Sequence, residues 1–393
     1  MVSAVRRGTS FRTAARRFRV SLRTVQVWVA RAEGQRLDRV DWADRPPGRR
    51  TASNRTPPRL EARVLALRHE LQEHDILGEH GAAAIRQALV ASGTAAVPAL
   101  RTIGRILERH GALDHRRRVR RPPPPAGWHL PAVAARHAEL DSFDVIEDLK
   151  LAAGPLVDVL TGVALHSSLP AAWPLVPAST SHILPCLVAH WRTYGLPAYA
   201  QFDNDTRFQG PHQHPDVFGR VTRLCLQLGV TPVFVPPREF GLQNAIEGFN
   251  GLYQAKVWRR FHFAVLAALE SHTRQYLAAR IQRLAARLGS APSRRPWPAS
   301  WHWQPAQLPA GCVLFIRRTN DRGEITLLGH TGLLDPAWCH RLVRAEVDLA
   351  AAEIRCFALR RSAPDQQPLL RVLSYCYPRR DLQPRIPNAD TCQ

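Results

Sequence analysis

Three acidic side chains lie in separate segments whose local patterns suit a shared metal site. Asp141 and Asp203 each fall in or at the end of a strand-like run, whereas Glu247 falls in the first turns of a helix-like run. Carboxylates from two strands and a helix can converge on a pair of divalent cations, which stabilise the attacking and leaving oxygens of a phosphoryl transfer. These residues therefore predict a catalytic metal site for Mg²⁺ or Mn²⁺, which prefer oxygen ligands.

Asp144 is the nearest competitor for the first position in this site. It lies three residues after Asp141, and side chains three apart on a regular strand point to opposite faces of the sheet. The two could share a face only if a bulge intervened, and Asp141 is preferred. The other nearby acids and histidines are expected to lie in loops: Asp205, Glu239, His212 and His214.

The strong positive charge indicates a polyanionic partner. The 393 residues include 54 Lys and Arg against 32 Asp and Glu, a formal net charge of +22. Lysine occurs only at Lys150 and Lys256, so a genomic bias explains the preference for arginine, but it does not explain the excess of basic residues. A chain of this kind is expected to bind nucleic acid.

The cysteines and the apolar content bear on the compartment. The seven cysteines are odd in number and form no Cys-x-x-Cys pair, which is typical of reduced cytosolic thiols rather than a disulfide scaffold or zinc module. No apolar stretch follows the N-terminal arginines, and no run of about 18 apolar residues occurs, so no signal peptide or membrane span is expected. We expect a cytoplasmic, nucleoid-associated protein with no membrane partner.

Residues 1–45 are predicted to form a helix-turn-helix. Residues 9–33 have the pattern of two helices around a tight turn, with a serine N-cap before the second helix. The second helix of such a motif enters the major groove, so Arg23, Gln26 and Arg31 are candidate DNA-binding residues. The alternative is a small helical hairpin with a solvated, arginine-rich face.

Residues 59–115 are predicted to form a second helix-turn-helix. The pattern contains three helical segments, at 59–73, 82–91 and 98–111. Arg101 and Arg105 lie away from the apolar face of the third segment, so they are also candidate DNA-binding residues. The alternative here is a plain three-helix bundle.

Residues 116–127 combine a basic strip with a proline spacer. Five of the six residues from 116 to 121 are arginine, and four prolines follow, which favours a stiff extended linker. Arg117, Arg118 and Arg120 are predicted to contact DNA phosphates without reading bases. Each lost contact should reduce the slope of log affinity against log salt by about 0.9, whereas a strip that is only solvated would leave the slope unchanged.

The remaining chain divides into a mixed α/β region and an all-β region. In residues 128–289, strand-like runs are followed by alternating helices and strands, which predicts a mixed sheet with helices packed on it. Residues 311–378 contain strand-like runs and a hairpin signal, so a small β-barrel is the simplest arrangement there.

Residues from about 130 to 290 resemble the catalytic core of DDE integrases and insertion-sequence transposases, which has an RNase H-like fold. The matching motifs are Glu139-Leu140-Asp141, Phe202-Asp203-Asn204 followed by Phe208, and Asn244-Ala245-Ile246-Glu247-Gly248-Phe249-Asn250, and Val157-Asp158-Val159 with Thr161 resembles the second strand of the family. The segments before and after this stretch resemble the flanking domains of the same transposases.

This resemblance implies a multidomain α and α/β architecture: N-terminal helix-turn-helix units, an RNase H-like core and a C-terminal small β-barrel. It implies that Asp141, Asp203 and Glu247 form the metal-binding triad of a DNA transposase or integrase, which cleaves strands at element ends and transfers them to target DNA. The implied partners are double-stranded DNA, at terminal inverted repeats and at the target, and further copies of the chain, at least as a dimer.

The chain also departs from the usual pattern of that family. Asp205, Arg207, Ala245 and Gly248 stand where the family usually has other residues. None of these differences removes a carboxylate. They leave open the alternative of a catalytically inactive DNA-binding regulator derived from a transposase.

Overall fold

The structure is a computed structural model that describes residues 1–43, 56–113, 125–210, 218–236, 239 and 241–375. The chain divides into two compact units, Met1–Glu61 and Ala62–Gln393. The strip that contains Arg117, Arg118 and Arg120 lies outside the described residues.

The first unit is helical. Its helices are α1 (Val2–Arg6), α2 (Phe11–Phe18) and α3 (Leu22–Ala32). Serine N-caps begin the last two helices: Ser10 Oγ accepts from the backbone N–H of Thr13 at 3.2 Å, and Ser21 Oγ accepts from that of Thr24 at 3.0 Å. Arg19, at φ 53°, ends α2 in the left-handed conformation, so the chain reverses within a short turn before α3.

Three further helices precede the sheet. They are α4 (Pro58–His74), α5 (Ala82–Ala91) and α6 (Leu100–Arg109), and the short α7 (Pro131–Ala134) follows them. The loop after α4 is bonded to side chains between residues 256 and 283. Lys256 Nζ donates to the carbonyl of Gly78 at 2.9 Å, Arg260 Nη1 donates to that of Asp75 at 2.6 Å, and Arg283 pairs with Glu79.

A nine-stranded mixed sheet forms the centre of the second unit. Its first five strands are β1 (Leu140–Lys150), β2 (Leu156–Ala164), β3 (Pro170–Leu175), β4 (Tyr199–Phe202) and β5 (Thr231–Phe234). The strands β1, β2 and β3 pair antiparallel in sequence, whereas β1, β4 and β5 are parallel neighbours. The mixed α/β architecture expected for the region is therefore present.

The C-terminal strands extend this sheet. They are β6 (Cys312–Arg318), β7 (Glu324–Leu327), β8 (His330–Leu333), β9 (Leu342–Asp348), β10 (Glu353–Ala358) and β11 (Leu369–Ser374). The full order is β11-β10-β9-β6-β5-β4-β1-β2-β3, and β7 and β8 form a separate hairpin.

The expected separate small barrel over 311–378 is thus not the arrangement of the described strands. The pairing of β6 with β5 explains the difference, because it places Leu314 beside Val233 and Phe315 beside Phe234. The rings of Phe234 and Phe315 stack with their centres 5.3 Å apart. The apolar face of β6 is therefore buried against the core of the large sheet and not inside a separate barrel.

Helices cover both faces of the sheet. They are α8 (Thr180–Tyr194), α9 (Thr206–Gln209), α10 (Arg220–Gln227), α11 (Asn244–Tyr253), α12 (Leu266–Arg283) and α13 (Ala285–Gly289), with a π-helical turn at Gln254–Trp258 between α11 and α12. Phe143 of β1 packs in one core cluster with Trp191 of α8. Ile146 of the same strand packs in another with Ile246 of α11, so α8 and α11 lie on opposite faces.

In the described residues, no helix combines the length and the apolar character that a membrane crossing requires. The five cysteines within these ranges are free thiols: Cys186, Cys225, Cys312, Cys339 and Cys356.

Candidate active site

Strand β1 carries Asp141 and Asp144 on opposite faces of the sheet. Its pairing with β2 is regular from Asp141, opposite Ala164, to Ile146, and the first shift in register comes after Ile146. No bulge therefore separates the two aspartates, and the alternation of side chains along a strand applies. Asp141 shares the α8 face and Asp144 shares the α11 face.

Asp203 is placed level with Asp144 by the parallel pairing of β1 and β4. Leu140 pairs with Tyr199 and Ser142 with Gln201, and the same offset carried on by two residues sets Asp144 opposite Asp203. Asp203 directly follows β4, and its Oδ1 accepts the backbone N–H of Asp205 at 3.0 Å. Two carboxylates are thus brought to neighbouring strands at the same height.

Glu247 reaches the same region from α11. It lies in the first turn of that helix and its side chain is exposed. Ile246 and Phe249 on either side are buried in the core cluster that includes Ile146 and Val159, and α11 packs on β1 and β2. The apolar residues therefore fix the helix on the sheet face that carries Asp144, while Glu247 remains accessible.

The electrostatics of Asp144 reflect this convergence. The pKa of Asp144 is raised to about 6, chiefly by burial and also by the neighbouring charges of Asp203 and Glu247, against hydrogen bonds from Val145 and Asn250 that lower it. Burial also raises the pKa of Asp203. Among the described residues, neither Asp144 nor Glu247 forms a salt bridge with a basic side chain. Asp144 and Glu247 are therefore negative charges without a salt-bridge partner in the described part of the chain, and the nearest counter-charge is that of Arg207, which lowers the pKa of Asp203.

Asp144 is also held by two neutral donors. Its Oδ1 accepts the backbone N–H of Val145 at 2.9 Å, and its Oδ2 accepts Nδ2 of Asn250 at 2.7 Å. The hydroxyl of Thr161, which pairs with Asp144 across β1 and β2, lies 2.6 Å from Asn250 Oδ1. These contacts fix the carboxylate on its strand.

Asp141 has a different set of partners from the one that a metal site requires. It is 1% exposed, and its carboxylate forms a salt bridge with Arg294 and accepts the indole N–H of Trp191 at 3.1 Å. His190 Nε2 lies 3.8 Å away. The charge of Asp141 is therefore balanced inside the protein, on the face of β1 that α8 covers and opposite to the face that α11 covers.

Glu147 and Asp205 lie close enough to Asp203 to affect its pKa, and both pair with the same arginine. Arg207 Nη2 donates to Glu147 Oε1 at 2.7 Å, and Arg207 Nε donates to Asp205 Oδ1 at 2.9 Å. These hydrogen bonds raise the pKa of Arg207, so the guanidinium remains charged. The arginine joins β1 to the loop after Asp203.

The candidate ligands are hard oxygen donors, which suit Mg²⁺ or Mn²⁺. As the side chains stand within the described ranges, no group of three or more His, Cys, Asp or Glu is close enough together to hold a metal ion.

The candidate DNA-binding residues differ in their surroundings. Arg23 and Gln26 are exposed on α3, and Arg101 and Arg105 are exposed on α6. Arg31 is instead engaged within its own unit. It pairs with Asp41 at 3.2 Å, and its guanidinium lies 4.9 Å from the ring centre of Trp28. The first four side chains are therefore free to contact a partner in a way that Arg31 is not.

Sequence reasoning gave no separate role to Asn250, Thr161 or Arg294. A spacing of three residues from Glu247 could have placed Asn250 on the same helix face. Thr161 could have been found only by pairing β1 with β2 in register. No local signal identifies Arg294 as the partner of Asp141, because 153 positions separate them.

No protein-family model and no curated protein matches the chain. Among solved structures, it is similar to the catalytic core domain of BIV integrase, with 16% identity, a TM-score of 0.27, and coverage of 36% of this chain and 81% of that one. The HTLV-2 integrase catalytic core domain in complex with magnesium is 12% identical, with a TM-score of 0.27 and coverage of 35% and 82%.

A longer match is to a chain of the simian T-cell lymphotropic virus intasome in complex with PP2A regulatory subunit B56 gamma. It is 13% identical, with a TM-score of 0.33, and the match covers 75% of this chain and 96% of that one. These three neighbours are integrase and intasome structures, each at low identity and low TM-score.

Proposed function

We propose that this chain is a DNA transposase or integrase, a polynucleotidyl transferase whose metal-binding carboxylates are Asp144, Asp203 and Glu247. Asp144 takes the position that the sequence motif assigned to Asp141. The observation that carries the proposal is the half-buried carboxylate of Asp144, which has the charges of Asp203 and Glu247 as neighbours and no salt bridge to a basic side chain in the described part of the chain.

The chemistry of this donor set fits divalent cations. Like charges held together raise the free energy of the ionised state, and a bound cation removes that cost. Asp144, Asp203 and Glu247 would hold Mg²⁺ or Mn²⁺. When bound, a pair of such ions stabilises the attacking and leaving oxygens of phosphoryl transfer.

The elements give the three carboxylates different freedom. Asp144 lies within a central strand and is fixed by two hydrogen bonds, and Asp203 is fixed at the end of the next strand. Glu247 is exposed on a helix, where its longer side chain can change rotamer. This arrangement supports a site in which two rigid ligands are completed by a movable one when a cation binds.

The substrate in this proposal is double-stranded DNA, at terminal inverted repeats and at a target site. The net charge of +22 supports phosphate binding, and the exposed Arg23, Gln26, Arg101 and Arg105 support base recognition by α3 and α6. Joining two DNA ends requires at least two copies of the chain, so a homo-oligomer on DNA is part of the proposal.

The test is a strand-transfer assay with the purified full-length protein and Mg²⁺. The DNA duplexes are taken from the sequences that border its gene on either side, where terminal inverted repeats are expected. Asp144→Asn, Asp203→Asn and Glu247→Gln should each reduce cleavage and joining by about a thousandfold or more, because about 4 kcal/mol of lost transition-state stabilisation has that effect. Binding of the same duplex in EDTA should remain.

Two results would contradict the proposal in different ways. Wild-type activity in one variant would remove that residue from the site. Specific DNA binding by a wild-type protein that neither cleaves nor joins with Mg²⁺ or Mn²⁺ would favour the inactive DNA-binding regulator.

A further inference from the structure

We propose that Asn250 is a positioning residue that holds Asp144 in the orientation needed to bind a divalent cation. This inference rests on the proposed function of the carboxylate site. Asn250 follows Glu247 by three residues on α11, and residues three apart lie on one side of a helix. The helix that supplies the glutamate therefore also supplies the amide that contacts the strand aspartate.

The orientation of the amide follows from its two neighbours. The Thr161 hydroxyl lies 2.6 Å from Asn250 Oδ1, and the carboxylate of Asp144 lies 2.7 Å from Nδ2. An ionised carboxylate can only accept hydrogen bonds, so the reversed amide would set its carbonyl oxygen against a negative oxygen. The hydroxyl can donate to Oδ1, whereas the carboxylate needs the N–H. Asn250 is therefore held in one orientation.

Thr161 is the rigid support of this contact. It is fully buried, on β2 directly opposite Asp144, and its hydroxyl also lies 3.0 Å from the backbone carbonyl of Asp144. A β-branched side chain in a strand has few rotamers, so the hydroxyl has a fixed place. The chain Thr161–Asn250–Asp144 thus joins β2, α11 and β1 through one amide.

The consequence for Asp144 is a fixed carboxylate plane with unused acceptor capacity. Oδ1 takes one hydrogen bond from the backbone of Val145 and Oδ2 takes one from Asn250. Each carboxylate oxygen can accept two, so each keeps a lone pair for a cation. Groups that orient a metal-binding carboxylate in this way typically contribute about 10–100-fold to metal affinity or activity.

The experiment measures Mn²⁺ binding by calorimetry and the Mg²⁺ dependence of strand transfer, on full-length protein stripped with EDTA. Asn250→Ala should weaken Mn²⁺ binding by about 10–100-fold and raise the Mg²⁺ concentration for half-maximal joining to match. At saturating Mg²⁺ the rate should approach that of the wild type, and DNA binding in EDTA should not change. Asn244→Ala, an exposed asparagine on the same helix, is the matched control and should behave as wild type.

Thr161 provides a second, independent variant. Thr161→Val removes the hydroxyl at nearly constant shape and frees the amide to rotate, so it should also weaken Mn²⁺ binding. Thr161→Ser keeps the hydroxyl and should bind Mn²⁺ as tightly as the wild type. If Asn250→Ala does not fold, this pair decides the question.

The outcomes separate this inference from the function on which it rests. Mn²⁺ affinity and Mg²⁺ dependence that stay within about twofold of wild type in Asn250→Ala or Thr161→Val, while Asp144→Asn loses both, would overturn the inference alone. Mn²⁺ binding and joining that survive in Asp144→Asn would remove Asp144 from the site and this inference with it, whereas a wild-type protein that neither cleaves nor joins DNA would overturn the proposed function itself.

Discussion

The two faces of β1 each carry an aspartate, and the surroundings of these two carboxylates differ in charge. On the α8 face, Asp141 is buried with Arg294 and Trp191, which balance its charge. On the α11 face, Asp144 is half-buried beside Asp203 and Glu247, and the charges add. A buried carboxylate whose charge is balanced by a partner can stay ionised inside the fold, whereas one whose charge is left unbalanced is suited to bind a cation.

Neutralising Asp144 should abolish activity and spare stability, whereas neutralising Asp141 should do the reverse. This is the largest difference that we expect. Asp144→Asn should lose strand transfer but unfold no more easily than wild type in EDTA, because it removes like-charge repulsion. Asp141→Asn should keep the rate per folded molecule and lose stability by about 3–5 kcal/mol, since Arg294 stays buried without its partner. Urea unfolding and strand transfer on the same samples measure both.

The comparison fails if the pattern is reversed. A stable Asp141→Asn protein that has lost joining would place Asp141 in the chemistry, as the sequence motif suggested. It would also show that the sheet face does not decide which aspartate binds the cation.

Replacing both members of the Asp141–Arg294 pair tests whether that face needs charge at all. Removing one partner of a buried ion pair is costly, but exchanging both for apolar side chains of similar size is often neutral. Asp141→Leu with Arg294→Met should therefore recover most of the stability that either single change loses. A double-mutant cycle by urea unfolding measures the recovery, and fully additive losses would show that the two side chains do not act as a pair.

The smallest effect is a difference in how the two faces respond to pH. Burial lowers the pKa of His190 to about 4, below its ordinary value near 6.5, although Asp141 opposes the shift. The unfolded state then binds more protons between these pH values, so stability is full above 6.5 and is lost as pH falls towards 4, by up to about 1.4 kcal/mol per pH unit.

Asp144 should act with the opposite sign. Its pKa is raised to about 6 in the folded protein, so the folded state binds more protons below that value, and the contribution to stability is lost as pH rises through 6. The slope of unfolding free energy against pH, measured in EDTA between about pH 4 and 6, should therefore be more negative than in the wild type for His190→Asn and more positive for Asp144→Asn. Equal slopes in the two variants would show that the faces do not differ in this way.

Much of the organisation could be predicted from local patterns. The serine N-cap of α3, the order of strands and helices after residue 128, and the helix that carries Glu247 all follow from short-range rules. Strand-like runs were also predicted in the C-terminal region, but β8 and the place of these strands in the sheet were not. Pairing between β5 and β6 depends on which apolar edge remains open, and residues 80 or more positions apart decide that.

The site shows the same division. The residue types show which carboxylates are available, and side-chain alternation requires Asp141 and Asp144 to lie on opposite faces of a regular strand. Which of these faces α11 covers, and therefore where Glu247 and Asn250 lie, depends on the three-dimensional packing. That placement depends on the packing of Ile246 and Phe249 against the sheet and on Arg294, which lies 153 positions from Asp141. The burial of apolar surface and of charge pairs does not depend on how far apart the residues lie in the sequence.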